Sequence, residues 1–166
     1  MESRAKILGH SVHQVLIVFP LGLLATAVIF DAIHLVKQSD TMAVVAYWLI
    51  AAGILGGAVA APFGLIDWWA IPSGTRAKRI GLAHALTNVT VLVLFTASWF
   101  LRRGAPDAPP VSASVLSFAG AAFALVGGWL GGELVSRLGV SVYDGAHLDA
   151  PSSLSGRPAS DRNPRG

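Results

Sequence analysis

The sequence predicts an all-α integral membrane protein: a bundle of four helices with antiparallel neighbours, followed by a polar tail. Three observations predict it. Of 166 residues, 54% are hydrophobic and 13% are charged, with a mean hydropathy of +0.63, where a soluble domain carries about 25% charge. The apolar residues are gathered into four long runs, and the runs are separated by short segments rich in Pro, Gly, Ser and charge. A chain so poor in charge cannot cover a water-facing surface, so its exterior must face lipid. This sets aside a soluble enzyme.

The predicted spans are about 12–35, 42–67, 80–101 and 111–134, each near or above the ~20 residues that cross a bilayer. The runs are too long for strands and lack period-two alternation, and their Ala, Leu and Gly content suits helices packed in lipid. The apolar stretch of the first span is longer than the ~7–15 residues of a signal-peptide core, so it is expected to be retained as a helix. Short breaks at residues 37–40, 71–79 and 102–110 make neighbours antiparallel. Residues 1–142 thus form one four-span domain, and the Ser-, Pro-, Gly- and Arg-rich residues 143–166 are expected to be disordered.

Charge sets the orientation. Arg4, Lys6, Arg76, Lys78, Arg79 and Arg137 fall on the side of the termini, against Lys37, Arg102 and Arg103 on the other, which predicts both termini inside. The net charge is +3, but the 12 Lys and Arg form no dense run, so nucleic acid is not an expected partner. The absence of Cys removes disulfides, thiolate nucleophiles, zinc ribbons and iron–sulfur ligation. The expected partner is the lipid bilayer.

Gly53, Gly57 and Ala61 recur at four-residue spacing, and Gly127, Gly128, Gly131 and Gly132 form two overlapping small-x-x-x-small pairs. Such faces pack helices within a bundle, and also serve a homo-oligomer or a partner membrane protein. Pro20 and Pro62 lie within spans and predict local bends. Trp48 and Trp99 at one end, and Trp68 and Trp69 at the other, read as interfacial belt residues.

The polar groups carry what functional signal there is. His13 and Asp31 are eighteen positions apart, which at about 100° per residue returns them to one helix face; His10 lies three residues before His13 and His34 three after Asp31. His84 and Asn88 form a stripe in the third span, Asp67 ends the second and Glu133 the fourth. Charged groups are expensive in a bilayer, so these residues should pair with one another, neutralise or hold a ligand. The first expectation is an interfacial hydrogen-bond network in which Asp67 and Glu133 hold His84 or His13 and fasten helix ends. The alternative is a transition-metal site built from His10, His13, Asp67, His84 and Glu133, imidazole being a good metal ligand and carboxylate a ligand or orienter. A bis-His haem would use His13 and His84, the one pair at matching depth on facing helices. His34 has no imidazole partner in another span, which argues against a two-haem wire. The middle of every span lacks an acid or base, which argues against a pump or channel. With no catalytic constellation, the expectation is a structural or accessory membrane subunit, with a redox-linked metal or haem protein as the alternative.

The segments Gly9-His10-Ser-Val-His13, Phe19-Pro20-Leu-Gly22, Gly64-Leu-Ile-Asp67-Trp68, Ala83-His84-Ala-Leu-Thr-Asn88 and Gly127-Gly-Trp-Leu-Gly-Gly-Glu133 together resemble the bacterial family of predicted membrane proteins called domain of unknown function 2231. The resemblance runs from about Ile7 to Val142. It implies a four-helix domain of a bacterial cytoplasmic membrane and carries no activity, substrate or cofactor. Two positions depart from the pattern such sequences often show: Ser11 stands where a proline is common, and Val18 where a histidine precedes Phe19. Losing an imidazole at Val18 weakens a shared metal site.

Overall fold

The computed structural model describes residues 1–162. A short antiparallel hairpin, β1 (Lys6–Ile7) and β2 (His10–Ser11), pairs Lys6 with Ser11 and Ile7 with His10. Its two-residue turn, Leu8 (φ 49°) and Gly9 (φ 81°), has positive φ at both positions, the geometry that matches the twist of paired strands. Glycine suits Gly9 twice over, since a Cβ there would also meet Ser153 at 2.5 Å.

Four long helical segments follow. The first is divided into α1 (Val12–Leu16) and α2 (Val18–Lys37); then come α3 (Asp40–Ala70), α4 (Arg76–Arg102) and α5 (Val111–Gly132), the last continued by a π-type turn, Glu133–Arg137. All four are long and apolar enough to cross a membrane. Each follows its apolar run and extends into the polar residues flanking it. The bend expected at Pro20 takes the form of a break at Ile17, because Pro20 has no N–H for the Leu16 carbonyl and its ring crowds that group. The bonds Ile17 N–H to His13 O and Leu21 N–H to Ile17 O, 3.0 and 3.1 Å, carry the chain across. Pro62 does not interrupt α3.

The helices alternate in direction. The α2–α3 and α4–α5 pairs have the most extensive packing, α3 lies against α4, and a lighter α2–α5 contact closes the bundle. One end, called proximal here, carries the hairpin and the segment after α5; the distal end carries the 38–39 and 103–110 connections. The core at mid-depth is Leu24, Ala27, Ile50, Val91 and Phe95. Glycine lets these side chains sit on backbone: a Cβ at Gly53 would lie 2.5 Å from Leu24, at Gly57 2.6 Å from Leu92, and at Gly120 2.8 Å from Phe95. Gly127 and Gly131 also face inward, whereas Gly128 and Gly132 have open space beside them.

The exterior is apolar. Leu125 is 78% exposed and Leu55 68%, an arrangement that is stable only in lipid. After the π-type turn, residues 143–162 form turns without helix or strand. Tyr143 donates to Gly9 O at 2.7 Å and Ser153 to Leu8 O at 3.0 Å. The expectation of a disordered tail extends to residues 163–166, which lie outside the described residues.

Candidate functional site

Polar side chains cluster at both ends of the bundle. At the distal end, α4 continues one residue past its apolar run, and that residue, Arg102, turns inward. Its Nη1 and Nη2 donate to Asp31 Oδ1 and Oδ2 at 2.6 and 2.7 Å, a two-pronged pair from α4 to α2. Both side chains have zero exposure. The remaining donors find α4 and α5: Nε donates to Ser98 Oγ at 3.1 Å and Nη2 to Ser117 Oγ at 3.0 Å. Ser98 donates to Ala113 O at 2.7 Å and lies 2.9 Å from Ser117 Oγ. Ser117 Oγ also lies 3.3 Å from Ala113 O, so the two hydroxyls share that carbonyl and either can donate to the other. A full charge is tolerable here because its counter-charge and hydrogen bonds are both supplied.

Sequence reasoning placed Asp31 on the right face but counted Arg102 as a loop charge. The signal that could have found it was the i, i+4 spacing of Ser98 and Arg102 together with Ser114 and Ser117 at i, i+3, all on span ends facing Asp31.

At the proximal end the polar side chains that meet between the helices are two imidazoles and an amide. His13 Nδ1 lies 3.0 Å from Ala60 O, and His84 Nδ1 lies 2.9 Å from Gly127 O. A carbonyl can only accept, so Nδ1 donates in both rings, and in the neutral imidazole Nε2 then keeps its lone pair. The ring centroids are 6.4 Å apart with planes at 85°. Asn88 Nδ2 donates to His84 O at 2.8 Å. It lies 3.3 Å from His84 Nε2 and 3.4 Å from Nδ1, almost equally far from both, so it rests against the ring. Glycines again make room: a Cβ at Gly64 would lie 2.8 Å from His13 Cε1, at Gly131 3.1 Å from His84 Cε1, and at Gly127 3.1 Å from Asn88 Oδ1.

The other candidate ligands turn elsewhere. Asp67 is buried and accepts from the N-terminal segment: Ser3 Oγ at 2.8 Å to both oxygens, Arg4 N–H at 2.7 Å, and more distantly Ala5 N–H and Ser11 Oγ at 3.4 Å. Glu133 pairs with Arg76 at 2.6 Å. His10 is exposed on β2. The structure thus brings His13 and His84 together and separates them from His10, Asp67 and Glu133. Among the described residues no group of three or more His, Asp or Glu is arranged to hold a metal ion. His34 Nδ1 closes the α2–α3 turn on Ser39 O at 2.9 Å.

The four tryptophans read as belt residues, of five in the chain, divide. Trp48 and Trp69 are well exposed, as a belt requires, but Trp99 packs against the core. Trp68 donates to Lys78 O at 3.1 Å, and the Lys78 ammonium lies over its ring at 4.0 Å.

An apolar exterior around a bundle whose interior polar groups are bonded to one another defines a multi-pass membrane protein. More narrowly, the model of the family described as "predicted membrane protein (DUF2231)" matches residues 9–144, and the chain belongs to that family. No curated protein and no solved structure matches it.

Proposed function

We propose that the protein is a structural or accessory subunit of a bacterial cytoplasmic membrane, with both termini inside. The carrying observation is that the Asp31–Arg102 pair, wholly buried and joined to Ser98 and Ser117, ties three helices together. The strongest polar chemistry inside the bundle is spent on holding it in one arrangement. The mid-depth core of Leu24, Ala27, Ile50, Val91 and Phe95 offers no relay between the ends, which suits a scaffold better than a transporter. Purification in mild detergent should recover a self-associated species or a co-purifying membrane protein, and a monodisperse monomer without partner would overturn the reading.

The orientation rests on charge. With Arg102 drawn into the bundle, the distal end exposes Lys37 and Arg103, against Arg4, Lys6, Arg76, Lys78, Arg79 and Arg137 at the proximal end. The chain has no Cys, so single cysteines at Ser73 and Asp107, both exposed, can be probed with a membrane-impermeant maleimide in intact cells. Labelling at residue 107 and protection at residue 73 is the expected result; the reverse inverts the assignment.

A second reading rests on one observation about the histidine pair, although no larger ligand group surrounds it among the described residues. Both His13 and His84 give Nδ1–H to a backbone carbonyl, the contact that commonly orients a ligating imidazole with Nε2 free. On this reading the pair holds a transition metal or haem, with His10, Asp67 and Glu133 outside the ligand set. Metal analysis and an absorption spectrum of protein purified without a histidine tag test it. A stoichiometric metal or a Soret band, lost in His13→Ala and His84→Ala, is expected; neither signal in the unaltered protein removes the reading.

A further inference from the structure

Arg102 and Arg103 are neighbours with opposite surroundings. Arg102 is enclosed and neutralised by Asp31. Arg103 is exposed at the distal rim and, among the described residues, has no carboxylate within 4.0 Å. Its guanidinium lies over Trp99 and Phe100, 5.2 and 5.3 Å from their centroids. The aromatic surface continues onto α3, where Tyr47 stacks on Trp99 at 5.5 Å and 13°, and Trp48 meets Tyr47 edge-on at 5.2 Å. Trp99 Nε1 is buried without a hydrogen-bond partner, so the same stack holds an unused donor.

Four rings from two helices therefore form a ledge where the apolar exterior gives way to the 103–110 connection, and the ledge carries one cation. A guanidinium held against aromatic rings by cation–π attraction spends no N–H on them, and its planar fork matches two oxygens of a phosphate. At the edge of a bilayer the groups presented to such a fork are lipid phosphates. We propose that Arg103, on the ledge of Trp99, Phe100, Tyr47 and Trp48, binds the headgroup phosphate of an anionic phospholipid in the leaflet at the distal end. The proposal requires only that the helices cross a bilayer. It is independent of the orientation, of the subunit reading and of the histidine pair.

The test is native mass spectrometry of the full chain in mild detergent, with phosphatidylglycerol, phosphatidylcholine or inorganic phosphate added separately. The unaltered protein should retain phosphatidylglycerol over phosphatidylcholine. Arg103→Ala should lower that adduct about fivefold, the effect of one cation near a lipid surface. Arg103→Lys should recover only part, because an ammonium keeps the charge but loses the fork, and Lys37→Ala should leave the adduct unchanged. Arg103 is exposed, so helical circular dichroism should be the same for each variant. Equal adducts for the unaltered protein and Arg103→Ala would overturn the proposal. Full recovery by Arg103→Lys would overturn the part given to the guanidinium fork, and binding of inorganic phosphate without phosphatidylglycerol would overturn the lipid assignment.

Discussion

At the distal end, two full charges are withdrawn entirely from the surroundings: Asp31 and Arg102 meet fork to fork, and the serines of α4 and α5 absorb most of the remaining hydrogen-bonding capacity. At the proximal end the interior groups are two imidazoles and an amide, satisfied chiefly by backbone carbonyls, while Asp67 is bonded to the N-terminal segment and Glu133 to Arg76. Inside a membrane a charge is stable only with a counter-charge, as at Asp31, or with several hydrogen bonds, as at Asp67, whereas a neutral donor needs only a carbonyl. The distal end is therefore a lock that fails if either half is removed. The proximal end is a set of smaller contacts, each separable from the others.

Breaking the lock should have the largest effect. Arg102→Ala or Asp31→Ala leaves one buried charge unpaired and should cost about 3–5 kcal/mol, measured by unfolding in mixed detergent micelles. Asp31→Leu with Arg102→Met should recover most of that loss, since neither variant then buries a lone charge. If the double variant is no better than either single one, the pair is not acting as a unit.

The next largest effect should come from Asp67→Ala, which strands the Arg4 amide, while Ser3 can still donate to Ala5 O at 3.0 Å, at a cost of about 1–3 kcal/mol. Hydrogen exchange should accelerate over residues 3–11 and leave the Arg102 region unchanged, which separates the two ends directly. Gly64→Ala pushes a methyl into the His13 ring and should destabilise by about 1–3 kcal/mol. Combined with His13→Ala the penalty should largely vanish, and an additive result would show that the ring is not what Gly64 accommodates. The smallest effect is expected for Arg76→Ala, whose exposed pair with Glu133 should contribute less than about 1 kcal/mol and fade with salt.

The four spans were legible because an apolar run long enough to cross a bilayer has few other solutions. Reading a span by its apolar residues, however, stops at the first charge. That rule ended the third span at Leu101 and assigned Arg102 to a loop, although helical phase carries it back over Ser98. Matching depth singled out His13 and His84 as a pair, but whether the two rings face one another depends on helix rotation and was not legible. Nor were the partners of Asp67, because two of them are backbone N–H groups of Arg4 and Ala5, whose direction depends on how the N-terminal segment folds back. The tryptophans show the same limit: sequence position puts Trp48, Trp68, Trp69 and Trp99 near an interface, but only packing turned Trp68 and Trp99 inward.

Sequence by itself determined that this chain lies in lipid, that it crosses as four helices, and that its ionisable groups avoid mid-depth, because the transfer of apolar and charged groups depends on residue type and on position along a span. Tertiary structure alone decided which polar groups meet. Partner choice among Asp31, Arg102, Asp67, Glu133 and the histidines depends on helix rotation and crossing, and on where glycines such as Gly64 and Gly131 let side chains lie against backbone. Those quantities are set by contacts between segments far apart in the chain, and no local pattern encodes them.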